Sequence, residues 1–153
     1  MGTRLAAFDR AAGAAPLTAV ARTAYVARLL RDGESARAYL QWVSGLPAAE
    51  RAHLGLLFNG DFELPLGHPP FGWETTPTPT WTPRVAPTPG AHGTAALELR
   101  FRHFTPRFAH LRQRLLAPPG HYQLRGAVRL DGLTSLAGLH WRLDCPPSAP
   151  GAP

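Results

Sequence analysis

The stretch Ala96-Leu97-Glu98-Leu99-Arg100-Phe101-Arg102 alternates apolar and polar residues, as a strand does when one face is buried and the other is wet. It decides the class of the second half of the chain. Around it, Pro, Gly and Thr punctuate short apolar runs. Pro65, Pro69, Pro70, Pro77, Pro79, Pro83, Pro87 and Pro89 exclude a long helix through that span, because each lacks the backbone donor a helix needs. Working outward, strands are predicted over residues 57–64, 72–75, 94–103, 110–116, 121–130 and 138–144. Tyr122-Gln123-Leu124-Arg125 and Val128-Arg129-Leu130 repeat the alternation, and Pro118-Pro119-Gly120 is a turn signal between two of the runs. Strands at such spacing predict an antiparallel β-sandwich.

Upstream the period changes. Leu17, Val20, Ala21, Ala24, Tyr25 and Leu29 recur at offsets of three and four, the stripe of an amphipathic helix. Pro16 suits its first turn, and Asp32-Gly33 suits its end. A second helix is predicted over 34–43, with Ala36, Tyr39, Leu40 and Val43 inward. A third, short one starts at Pro47 and carries Ala48, Arg51, Ala52, Leu54 and Leu57. Helical pairs of this kind build tetratricopeptide-type repeats. The expected class is α+β. A helical segment (1–57) precedes an incomplete antiparallel β-sandwich (58–145), and a low-complexity tail (146–153) is expected to be disordered.

Composition narrows the function classes. The chain has 153 residues, one domain's worth, and a single cysteine, Cys145, so no internal disulfide framework is available. No apolar run is long enough to span a bilayer, and Arg4, Asp9 and Arg10 interrupt the N-terminal apolar residues where a secretory signal would be continuous. A complete product of this sequence is therefore expected in the cytoplasm. The formal charge is +6, and all 16 basic residues are arginine. They are scattered rather than gathered into a phosphate-contacting face, so nucleic acid is not the expected partner. No nucleophile elbow, P-loop, dinucleotide fingerprint or zinc-helix histidine pair is present, and the expectation is a non-catalytic protein. His103 and His110 flank a proline-containing turn that can bring them together.

Leu57-Phe58-Asn59-Gly60-Asp61-Phe62-Glu63, followed by Phe71-Gly72-Trp73, resembles the opening of galactose-binding-like jelly rolls, the group that includes many carbohydrate-binding modules. Leu97 to Phe101 is similar to their central strand. Gln113 and the run Ala117-Pro118-Pro119-Gly120-His121-Tyr122-Gln123-Leu124 resemble a later strand and turn. The whole also resembles the C-terminal jelly-roll region of uncharacterised bacterial helical-repeat proteins. The match departs in length. A jelly roll uses about eight strands, and fewer are predicted here, as in a fragment of a longer chain. The resemblance implies a carbohydrate- or cell-surface-binding module. The alternative is a structural or protein-interaction module working through the helices or an open sheet edge.

Candidate site residues follow. Trp73 and Trp81 offer flat rings on which sugar C–H faces stack, with Glu74 and Arg125 to bond hydroxyls. Trp81, among Thr and Pro, is the ring expected to be exposed, whereas Trp141 and Tyr122 are expected in the core. The resemblance further implies a structural calcium near the opening strand. Asp61 and Glu63, two apart and so on one face of a strand, are its candidate ligands; Asn59-Gly60-Asp61 also reads as a simple turn.

Overall fold

The computed structural model describes residues 17–76, 78–102, 111–134 and 138–145. Pro16, the His103 and His110 turn and the tail 146–153 lie outside the described residues. Among the described residues there are two helices and four short antiparallel strands, so the class is α+β.

Helix α1 (Ala19–Arg31) starts where the Thr18 hydroxyl accepts from Ala21 N (3.2 Å), satisfying one of the orphan donors of the first turn. It stops where Gly33 takes a positive φ of 81° and Glu34 N donates back to Leu29 O (2.9 Å), which satisfies a terminal carbonyl. Helix α2 (Ser35–Ser44) follows directly. The buried face is rotated from the predicted stripe. On α1 it is Tyr25, Val26 and Leu29, while Val20 is 81% exposed. On α2 it is Ala38 and Trp42, while Leu40 is 66% exposed. Trp42 sets this face, since an indole has more apolar surface to bury than any residue of the predicted stripe. The predicted third helix shrinks to a 3₁₀ turn, Glu50–His53, with Gly55 close behind it.

The helices and the stretch from Phe58 onward share one core. Tyr25, Val26, Leu29, Ala38, Trp42 and Leu46 pack with Phe58 and Phe71, so the expected boundary between 57 and 58 runs through packed side chains. Trp42 meets Phe58 edge-on (5.1 Å between centroids), Tyr39 meets Phe71 the same way (5.2 Å), and the Trp42 Nε1–H donates to His68 O (2.8 Å). Such edge contacts add about 1 kcal/mol each to area burial.

Residues 57–64, predicted as a strand, form a turn instead. Asn59 (φ 50°) and Phe62 (φ 56°) are both left-handed, and no strand tolerates that. Asn59 is buried and is used at every polar atom. Its Nδ2 donates to Leu64 O (2.8 Å), and its Oδ1 accepts from Leu64 N (2.9 Å). Its backbone N donates to His53 O (3.1 Å), and its carbonyl accepts from the Trp73 indole (3.1 Å) and from Phe62 N (3.2 Å). One side-chain amide thus stands in for a paired strand. Gln113 Nε2 donates to the neighbouring Phe58 O (2.9 Å).

The chain returns tightly through Gly72, whose N donates to His68 O (2.8 Å). A Cβ there would lie 2.0 Å from Gly67 O and 2.7 Å from His68 O, both backbone atoms that cannot swing away. Gly72→Ala is therefore expected to lose about 3 kcal/mol of stability, read by urea unfolding.

Strand β1 (Glu74–Thr75) pairs with β4 (Leu111–Arg112), and β2 (Trp81–Pro87) pairs with β3 (Ala95–Phe101). The predicted strand at 94–103 is thus realised in β3. Those at 72–75 and 110–116 shorten to β1 and β4, and β2 lies outside the predicted strands. The described residues from His121 onward form a separate unit and carry no strand. There Trp141 (63%) and Tyr122 (52%) are exposed, contrary to the core expectation. No described helix is long and apolar enough to cross a membrane.

Candidate interaction surface

The β2–β3 hairpin is built by Thr88-Pro89-Gly90-Ala91. Pro89 presets the first central φ, Gly90 takes a φ of 83°, and Ala91 N closes the turn on Thr88 O (3.2 Å), the pattern of a type II turn. The Glu63 carboxylate clamps the far side of the loop. It accepts from Thr94 N (2.7 Å), Ala95 N (3.1 Å) and the Thr94 hydroxyl. These donors, Thr94 first, hold the Glu63 carboxyl below its usual 4.5. A carboxylate with a lowered folded pKa stabilises above the unfolded value and stops doing so as pH falls through the folded one. The amide shifts of Thr94 and Ala95 are therefore expected to titrate together, with a midpoint below 4.5. Titration of either amide at or above that value would contradict the clamp.

The ladder's parity follows from its ends. Thr88 N donates to Thr94 O (3.1 Å) and Arg102 N to Thr80 O (2.8 Å), continuing the register Trp81↔Phe101 to Pro87↔Ala95. Even-numbered residues therefore exchange hydrogen bonds across the pair, and odd-numbered residues turn their N–H and C=O outward. Pro83 and Pro87 both fall on outward positions of β2. Their missing donors cost the ladder nothing, which is where strand prolines are tolerated. Trp81 N turns back to Thr78 O (3.2 Å), so Val85 carries the remaining outward donor on β2.

On the outer edge of β3, Glu63 takes Ala95 N. Leu97 and Leu99 point N–H and C=O outward, and no backbone hydrogen bond reaches them among the described residues.

The two hairpin faces differ. Trp81, Pro83, Val85, Leu97, Leu99 and Phe101 share the apolar one. The other carries Thr82, Arg84, Glu98 and Arg100. Glu98 accepts from Arg84 Nε (2.5 Å) and from Arg100 Nε and Nη2 (3.0 and 2.6 Å), which keeps its carboxyl low. A shallow hollow of about 110 Å³ lies among Thr82, Arg84, Arg100 and Arg102. A larger open cleft, about 610 Å³, is lined by Glu63, Pro65 and Leu66, by Thr75, and by Pro83 to Pro87 of β2.

The candidate residues of the sequence are distributed differently from expectation. Trp81 is fully buried (0%) as the first residue of β2, not exposed in a loop. Trp73 (4%) is also buried, lies against Phe62 (5.3 Å) and is held by Asn59. Neither ring is available to a sugar in this structure. Glu74 lies opposite Arg112 across β1–β4 and takes two hydrogen bonds from it (2.9 and 2.8 Å). The contact lowers the Glu74 carboxyl and raises the Arg112 guanidinium. Arg125 belongs to the 121–153 unit, where it bonds Gln123 Oε1 (3.0 Å).

Asp61 and Glu63 do not form a ligand pair. The left-handed Phe62 separates them, Asp61 Oδ2 sits 3.2 Å from His53 Nδ1, and Glu63 is spent on its N–H and O–H donors. Calcium needs about six to eight oxygens turned toward it, and these residues do not fit that requirement. Among the described residues no group of three or more His, Cys, Asp or Glu gathers as a metal site.

Comparison with known proteins finds no matching family model, no similar curated protein and no similar solved structure.

Proposed function

We propose that this chain is a non-catalytic protein-interaction module, an incomplete antiparallel sandwich that accepts a strand on the outer edge of β3. The observation that supports it most is the contrast between the two hairpin edges. Prolines block β2, whereas β3 presents the outward N–H and C=O groups of Leu97 and Leu99 beside an apolar face. Strand addition draws its affinity from such main-chain bonds and its specificity from alternate side chains. Sheet edges left in this state are managed or used. The carbohydrate-binding reading would have to rest on the open cleft instead, whose lining mixes Thr and charged groups with Pro, Leu and Val but offers no aromatic ring.

The test uses a displayed library of extended peptides. Selected peptides are expected to alternate apolar and polar residues and to protect the Leu97 and Leu99 amides from exchange. Leu99→Pro should keep the fold, because that position points away from β2 as Pro83 points away from β3, and should abolish binding. Peptide binding that survives Leu99→Pro would overturn the reading.

A further inference from the structure

The partner that β3 fits best is a second β3. We infer that two copies of this chain pair antiparallel through β3 about a two-fold axis at Leu99, giving a continuous sheet in the order β2-β3-β3-β2. The inference rests on the strand-accepting reading above and adds the identity of the strand. Its basis is that Leu97-Glu98-Leu99-Arg100-Phe101 is complementary to its own reverse.

With Leu99 opposite Leu99 of the other copy, the outward amide and carbonyl of each Leu99 bond their mates, as the ladder parity requires. Glu98 then faces Arg100 of the other copy, and Arg100 faces its Glu98. On the opposite face Leu97 meets Phe101, and Leu99 meets Leu99. Cross-strand pairs of this kind contribute favourably both as opposite charges and as apolar contacts. A register centred on Glu98 or on Arg100 would set like charges against each other. It would also turn toward the partner the amides already bonded to β2.

The ends of the strand agree with this pairing. Glu63 occupies Ala95 N, so the new ladder starts at Leu97. Pro83 and Pro87 deny a further strand to β2. The interface is therefore isologous and closed, a dimer and not a fibre.

The experiment is sedimentation of the full chain as wild type, Glu98→Arg, Arg100→Glu and Leu99→Pro, with circular dichroism as the control for folding. Wild type is expected to dimerise with concentration. Glu98→Arg and Arg100→Glu alone should each weaken association about tenfold or more, since each sets like charges opposite one another twice. An equimolar mixture of the two should recover it, because one chain then brings two arginines and the other two glutamates. Leu99→Pro should remain monomeric.

A mixture no tighter than its components would overturn the two-fold pairing. So would a wild-type monomer at about 1 mM, where even a Kd of that size registers. If such a monomer still binds an extended peptide with protection of Leu97 and Leu99, self-pairing alone fails. If no peptide protects those amides, the strand-accepting reading fails with it.

Discussion

Asn59→Asp is expected to lose about 3 kcal/mol or more of folding stability at pH 7 and to regain part of it in acid. The exchange is nearly isosteric, and aspartate shares the tolerance of asparagine for the left-handed φ of 50°. What changes is the donor. Nδ2–H, which bonds Leu64 O, becomes a carboxylate oxygen facing a carbonyl oxygen in a buried site. Both the burial of charge and the lost bond raise the folded pKa of the new carboxyl above the usual Asp value of about 3.9. A group with a raised folded pKa contributes its stability below the unfolded pKa and loses it as pH rises through the folded one. Urea unfolding at pH 4 and pH 7, followed by tryptophan fluorescence, should therefore show a smaller deficit at pH 4. An equal deficit at both would mean that the amide is not what holds Leu64.

Trp81→Ala is expected to cost about 3–5 kcal/mol, the range for emptying a buried aromatic site. Trp81 is fully buried at the start of β2 and lies opposite Phe101. Removing it takes the anchor from the apolar face of the hairpin, so strand content should fall along with stability. Trp81→Phe should recover most of the loss. A surface platform behaves in the opposite way, since its truncation spares stability and changes only ligand affinity. An Ala variant as stable as wild type would place this ring outside the core.

The sequence was informative where one rule acted alone. Strand β3 shows in the alternation from Leu97 to Arg102 because its apolar residues share one face with Trp81 and Val85 and its charged residues share the other. Strand β2 was hidden by Pro83 and Pro87, which read as breakers. Their compatibility depends on ladder parity, and parity exists only once β3 is in place. The burial of Trp81 is hidden for the same reason, since Thr and Pro neighbours signal a loop until β3 pairs with them as an edge strand.

Asn59-Gly60-Asp61 carried the turn signal, but the role of the Asn59 side chain could not be read locally. It depends on Leu64, His53 and Trp73 converging on it. The rotation of α2 follows from Trp42, whose partners Phe58 and Phe71 lie in the next part of the chain. Period-2 alternation at Tyr122, Leu124, Val128 and Leu130 is as regular as that of β3, yet these residues are exposed and carry no strand. Alternation records a propensity, and a ladder needs a neighbour.

Amide hydrogen exchange of the dilute, monomeric protein tests the open outer edge of β3 most directly. Arg84, Glu98 and Arg100, whose amides bond across the hairpin, should be protected. Leu97 and Leu99 should exchange as open amides until a strand is added. Protection of Leu97 and Leu99 equal to that of Glu98 in the monomer would show the edge already covered and would contradict the account.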